Sequence, residues 1–232
     1  MAQNDIMEGN LKPQLIAIDG PVAVGKSSVG SLLAVKLRYV FFDTGMMYRA
    51  FTWKVLKLGI PVEDELQLCH LVNTTKFDFV SLQDCRLSPS IDGEDISSKL
   101  FRPEVEAQVS LVSKIAGVRQ VLILEQRRLA QRGKVVMAGR DIGTVVLPWA
   151  ELKVFLTAST AERAKRRYKE LLERGGNTSL EIVLAELKHR DEMDIQRTVS
   201  PLKAAEDAII IDTENLSLEQ VVDKIYKLAV NL

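Results

Sequence analysis

Gly20-Pro21-Val22-Ala23-Val24-Gly25-Lys26-Ser27 is the stretch on which the reading of this 232-residue chain turns. It fits G-x-x-x-x-G-K-[ST] at each fixed position, and its flanks fit as well. The apolar run LIAID leads in, and SSVGSLLAVKL continues as helix-forming text. Glycines let the backbone turn so that successive N–H groups face one anion, and the helix that follows adds the partial positive charge of its N-terminus. A phosphate-binding loop from Gly20 to Ser28 is therefore expected. Lys26 is expected to reach the β- and γ-phosphates of a nucleotide and the Ser27 hydroxyl to ligate Mg²⁺, with Asp19 the nearest candidate for a second protein ligand.

Outward from this loop, five short apolar runs read as buried parallel strands: Leu15–Ile18, Val40–Phe42, Val135–Ala138, Val154–Leu156 and Ile209–Ile211. Helical text separates them, the alternation of a doubly wound α/β sheet. Capping-box spacings at Ser159/Glu162, Thr178/Glu181 and Ser217/Gln220 mark helix starts. Gly175-Gly176 ends a basic helix, and Gly59-Ile60-Pro61 ends one that starts near Met47. Residues 77–98 break the pattern with period-two alternation and an Asp92-Gly93 turn signal, which predicts a small antiparallel insertion. Helical text is expected after it, from about Pro103 to Gln131. Thr75-Lys76-Phe77-Asp78 spells the T-K-x-D of a guanine-reading loop, but it follows a helical pattern and no D-x-x-G accompanies it. It reads as a loop leading into the insertion.

Lys+Arg and Asp+Glu balance at 31 each, so no global field draws the chain to nucleic acid or to an anionic membrane. Phosphate chemistry must use a local cluster of charge. Three such clusters are present: Arg163, Arg166 and Arg167 at i, i+3 and i+4; Arg190, Asp194 and Arg197 at i, i+4 and i+7; and Arg140-Asp141 just past a buried strand, where open α/β sheets bind ligands. Guanidinium groups so placed can meet the charge that spreads over a transferring phosphoryl group. Cys69 and Cys85 form no metal spacing and are expected as reduced thiols. The first residues hold no apolar segment of a signal peptide, and no run reaches the roughly 18 residues of a membrane span. The expectation is a cytoplasmic chain with a short mobile tail over residues 1–12 and a single domain over 13–232.

IDGPVAVGKSS, DTGMMYR, GRDIGTVVLP, FLTASTAERAKRR and LKHRDEMDIQRTVSPL together resemble bacterial cytidylate kinases, from about Leu15 to Leu228. The resemblance implies a three-layer α/β/α fold of P-loop NTPase type with a five-stranded parallel sheet. It also implies an acceptor-binding insertion over about 47–131 and a helical lid over about 158–180. It implies phosphorylation of CMP and dCMP by ATP with Mg²⁺, and since nothing in the sequence points to an obligate interface, a monomer is expected. By position, Arg49 and Arg140 meet the acceptor phosphate, with Thr44 and Tyr48 lining its site. Ser110, Arg119 and Asp141 read the cytosine, Arg190 and Asp194 hold the ribose, and Arg197 reaches the phosphates. Arg163 and Arg167 become lid arginines on the transferring group, acting with Lys26 and Arg140. The chain departs from its relatives at Val22-Ala23-Val24, where Ala, Ser or Gly is commoner, and at Met193.

Overall fold

The computed structural model describes residues 13–81, 85–173 and 175–232, so the tail expected over residues 1–12 lies outside the described residues. In chain order the elements are β1 (Leu15–Asp19), α1 (Lys26–Leu37), β2 (Val40–Asp43), α2 (Thr44–Lys57), α3 (Glu65–Thr74), β3 (Phe77–Ser81), β4 (Leu87–Ile91), β5 (Glu94–Asp95), α4 (Pro103–Lys114), α5 (Ala116–Ala130), β6 (Val135–Gly139), β7 (Leu152–Thr157), α6 (Thr160–Glu173), α7 (Leu180–Gln196), β8 (Ile209–Asp212) and α8 (Leu218–Val230). All five apolar runs became strands of one parallel sheet, in the order β2-β6-β1-β7-β8.

The sheet is apolar on both faces because side chains alternate along each strand. Ile16 and Ile18 of β1, with Val136 and Ala138 of β6, face one way and pack under α1 and α8. Ala17, Val135 and Met137 face the other way, into a larger core with α2, α3, α4 and α5. These are the two outer layers of the α/β/α arrangement. The insertion forms a second, antiparallel sheet, β3-β4-β5. Its Asp92-Gly93 turn has φ of 51° and 81°, the double positive φ of a type I′ hairpin turn. Thr75 is the C-cap of α3 and Phe77 opens β3, so the T-K-x-D letters do lead into the insertion.

Two local expectations are corrected, at the start of α2 and the cap of α7, and the helical text from Pro103 resolves into two helices. Helix α2 starts at Thr44 rather than near Met47, because Asp43 caps it by accepting from the Gly45 N–H. The stretch from Pro103 is two helices bent by 96° at Ile115, whose extended backbone ends α4 and begins α5. The cap of α7 is Ser179, not Thr178: the Ser179 hydroxyl accepts from the Ile182 N–H. Ser217 and Gln220 form the full reciprocal box on α8. At α6 the Ser159 hydroxyl accepts from the Glu162 N–H, while Glu214 takes the Ser159 N–H in place of a reciprocal Glu162 contact. No single helix among the described residues is long and apolar enough to cross a membrane.

Candidate active site

The loop between β1 and α1 positions the first half of the site. Gly20 adopts φ 149°, and a Cβ there would lie 2.3 Å from the Leu156 carbonyl oxygen, so only glycine lets the loop run this close to β7. Ala23 takes φ 60° and Gly25 φ 97° before α1 begins. The Val24 side chain turns away from the ligand side into the core beneath α1, and its bulk is absorbed there. Val22 and Ala23 instead pack upward against Ala164 of α6 and Val183 and Leu187 of α7. Gly25, Lys26, Ser27 and Ser28, at the N-terminus of α1, line a cavity of about 860 Å³, within the usual range for small-molecule sites.

Lys26 is buried, and its ammonium donates to the Gly20 and Pro21 carbonyls at 2.8 and 2.6 Å. Burial, reinforced by Arg140, pushes its pKa well below the ordinary lysine value, against the pull of Asp43, Asp19 and Asp194. Asp19 does not reach toward Ser27: its two oxygens accept the backbone N–H groups of Ile142 and Gly143 at 2.8 and 2.7 Å. Burial outweighs those bonds and raises its pKa to about 6. The carboxylate beside Ser27 is Asp43, whose Oδ2 accepts the Ser27 hydroxyl at 2.5 Å and which also lines the cavity. Asp43 opens the DTGMMYR motif, so its signal was in the sequence, but it had been given no role. A hydroxyl and a carboxylate side by side at the phosphate loop are hard oxygen donors that fit Mg²⁺ sharing its shell with phosphates and water. Among the described residues, no group of three or more His, Cys, Asp or Glu could hold a metal by itself.

Elsewhere on the cavity wall, α4 and α5 meet at the break at Ile115, their axes turned by 96°. Arg119, buried on α5, donates to the Ser113 carbonyl at 3.1 Å and to Asp141 at 2.5 Å. Its guanidinium lies 5.4 Å from the Tyr48 ring centroid. Burial lifts the Tyr48 phenol to about 12, so it stays neutral. Ser110 is half-buried on the same wall. Thr44 is buried and donates to the Ala138 carbonyl at 3.0 Å, which pins the start of α2 to β6.

Arginines from four elements close the middle. Arg140, just past β6, donates to Asp194 of α7 at 2.7 Å. Burial works against ionisation of Asp194, but Arg140, with Arg197 and Arg190, holds its carboxyl below the usual range. Arg197 Nη1 lies 3.5 Å from Asp194 and its Nη2 3.7 Å from Asp141, while its Nε donates to the Ser200 carbonyl. Arg49 of α2, Arg167 of α6 and Arg190 of α7 line the cavity and converge on Glu106 of α4. Arg166 also reaches the wall while its guanidinium grips Thr213.

Arg163 is different. It is buried outside the cavity wall, donating to Asp191 of α7, to the Ala158 and Val22 carbonyls and to Thr160. The i, i+3, i+4 spacing put Arg163 and Arg167 on one face, but Asp191 captures the first, and sequence spacing alone carried no sign of that partner. Every other residue expected at the site lines the cavity except Gly20, Pro21 and Val24, which shape the loop from beneath, and Asp19, which is held by the Ile142 and Gly143 N–H groups.

The cytidylate kinase family model matches residues 16–231. A cytidylate kinase of Bacillus velezensis is 46% identical over 92% of this chain and 95% of its own. One of a Geobacillus strain is 46% identical over 96% and 97%, and one of Caldicellulosiruptor bescii 47% identical over 92% and 94%. Among solved structures, an uncharacterized protein from Eubacterium ventriosum superposes with a TM-score of 0.50 over 95% of this chain and 100% of that one, at 16% identity, a likeness of fold.

Proposed function

The chain belongs to the cytidylate kinase family, and on that premise we propose that it transfers the γ-phosphoryl group of ATP to CMP and dCMP at the cavity described above. The observation that carries this reading is the layout of that cavity. A phosphate loop stands at one end, the Arg119–Asp141 pair at the other, and Arg49, Arg140, Arg167 and Arg190 between them.

ATP rests its β- and γ-phosphates against the N–H groups of Gly25–Ser28 and the Lys26 ammonium. Ser27 and Asp43 would hold Mg²⁺, which would supply neutralisation of the phosphate charge. A CMP phosphate oxygen attacks the γ-phosphorus in line. The bond to the β,γ-bridging oxygen breaks, and ADP leaves with that electron pair. The acceptor is already an anion, so no side chain need take a proton from it. Catalysis is then positioning and electrostatics by Lys26, Arg49, Arg140, Arg167 and Arg197. Arg163 does not join them. Its bonds to Asp191 and Val22 make it the strut that joins α6, within the expected lid, to α7 and to the phosphate loop.

The Arg119 guanidinium can donate to O2 and N3 of cytosine, and Asp141 and Ser110 can accept from its amino group. Uracil turns a carbonyl toward Asp141 instead and meets repulsion, which favours cytosine. Asp194 and Arg190 are placed to hold the ribose. A monomer suffices for all of this, since each of these groups comes from one chain. The test is ADP release with ATP and Mg²⁺, presenting CMP, dCMP, UMP, AMP and GMP in turn. Turnover confined to CMP and dCMP supports the reading. Equal turnover with UMP removes the roles of Arg119 and Asp141, and no stimulation by any acceptor overturns the activity.

A further inference from the structure

Glu106 stands in the first turn of α4, where a carboxylate is ordinarily read as a partner of the helix dipole. Here it does something more specific. Its Oε1 accepts the Arg49 Nε–H at 2.8 Å and its Oε2 an Arg167 Nη2–H at 3.0 Å, while an Arg190 Nη1 lies 4.0 Å away. These three guanidiniums come from α2, α6 and α7 and all line the cavity, whereas Glu106 stands behind them, outside its wall. Burial disfavours its charge, but Arg49, Arg167 and Arg190 outweigh that and keep its carboxyl below the ordinary range. Three like charges brought together around a partly buried carboxylate repel one another strongly without it. One side chain thus fixes the spacing of an acceptor-side arginine, a lid arginine and a third between them.

We propose that Glu106 is a positioning residue for phosphoryl transfer, a single carboxylate that sets three phosphate-facing arginines in register and ties α6 to the acceptor side of the cavity. The proposal rests on the reading that those arginines meet the donor and acceptor phosphates. Removing the charge raises the net positive charge of the cluster, so a simple divalent anion binds more tightly. The arginines then lose their mutual alignment, so transfer slows. Tighter anion binding with slower turnover is a combination that a merely structural role does not produce.

The experiment compares wild type, Glu106→Gln and Glu106→Asp by two readouts: steady-state kinetics with ATP and CMP, and calorimetric titration with sodium sulfate. In the Gln variant, the sulfate dissociation constant is expected to fall at least threefold. Its kcat is expected to fall at least tenfold, and its KM for ATP to stay within threefold. In the Asp variant, sulfate affinity returns to within twofold of wild type because the charge is back. Its kcat stays reduced because the shorter side chain cannot span Arg49 and Arg167 together. Sulfate affinity and kcat both within twofold of wild type in the Gln variant overturn the proposal. So does a loss of kcat with unchanged sulfate affinity, which would make Glu106 a stability residue only. If wild type shows no CMP-stimulated ADP release, the assignment of activity fails instead, and the sulfate titration still decides whether Glu106 governs the arginine cluster.

Discussion

Replacing Arg119 by Met should be among the most costly single changes in the core. Arg119 and Asp141 side chains are 2% and 6% exposed, and their 2.5 Å contact ties α5 to the segment just past β6. Methionine fills most of the volume but leaves the Asp141 carboxylate buried. Its nearest remaining cation is then Arg197, at 3.7 Å. Breaking one side of a buried ion pair costs about 3–5 kcal/mol. For a domain of this size, that corresponds to a fall in Tm of roughly 6–20 °C. The companion change Asp141→Asn costs less, about 1.5–3 kcal/mol, because Arg119 keeps the Ser113 carbonyl and the face of Tyr48. In the double variant neither charge is stranded on the other, so its cost should fall short of the sum by about 2 kcal/mol. Urea denaturation of the four proteins closes the cycle. A coupling below about 0.5 kcal/mol refutes the reasoning, because the pair would then be energetically independent despite its burial and contact.

Asp19 predicts a pH dependence. Its pKa of about 6 exceeds the ordinary 3.8, so between those values the folded protein holds a proton that the unfolded chain has lost. Its contribution to stability is full below the unfolded value and disappears as pH rises through 6, about 3 kcal/mol for such a shift. Urea melts of wild type and Asp19→Asn should show that advantage shrinking from pH 4 to 7, and a difference independent of pH denies the shift. Gly30→Ala on α1 improves helix propensity but sets a Cβ 2.2 Å from the Phe41 ring. Overpacking should win by about 1–3 kcal/mol, with Phe41→Leu relieving part of it; a rise in Tm from Gly30→Ala alone argues that the ring moves freely. Asp43→Asn keeps a good helix cap for α2 but weakens the oxygen pair with Ser27, so half-saturating Mg²⁺ should rise roughly tenfold. An unchanged Mg²⁺ dependence of turnover removes Asp43 from the metal's surroundings.

The parts of the fold that sequence disclosed are those with a local cause. The five sheet strands were legible because burial on both faces demands uninterrupted apolar runs such as Val135–Ala138, and the insertion because Asp92-Gly93 can take positive φ twice. The helix break at Ile115 was not legible: no proline stands there, Gly117 two residues on lies within α5, and the Arg119–Ser113 hydrogen bond that spans the break joins residues with no local signal. Likewise, Thr178 and Ser179 are both plausible caps, and tertiary placement of α7 chose the second. At the site, the phosphate loop and the arginine spacings stood out because rare residue types recur at fixed intervals. Their carboxylate partners did not. Glu106 and Asp191 sit in ordinary charged helices, and only the meeting of separate elements gives them arginines to hold.

Val22 and Ala23 belong to the phosphate loop, yet their side chains form the floor of the small apolar cluster that unites α6 and α7, and the Val22 carbonyl is clasped by Arg163. Swinging those helices off the loop therefore wets Val22, Ala23, Ala164, Val183 and Leu187 together. On the proposed reading, the loop that receives nucleotide is thus also the doorstep on which the lid rests. If α6 closes over the site as the proposed lid, a substitution at Val22 or Ala23 that shrinks this cluster should shorten the time the site stays shut after each turnover, even where it leaves the phosphate-facing N–H groups in place. Selection acting on the pace of product escape can reach it through residues that, by their place in the motif, look reserved for ATP.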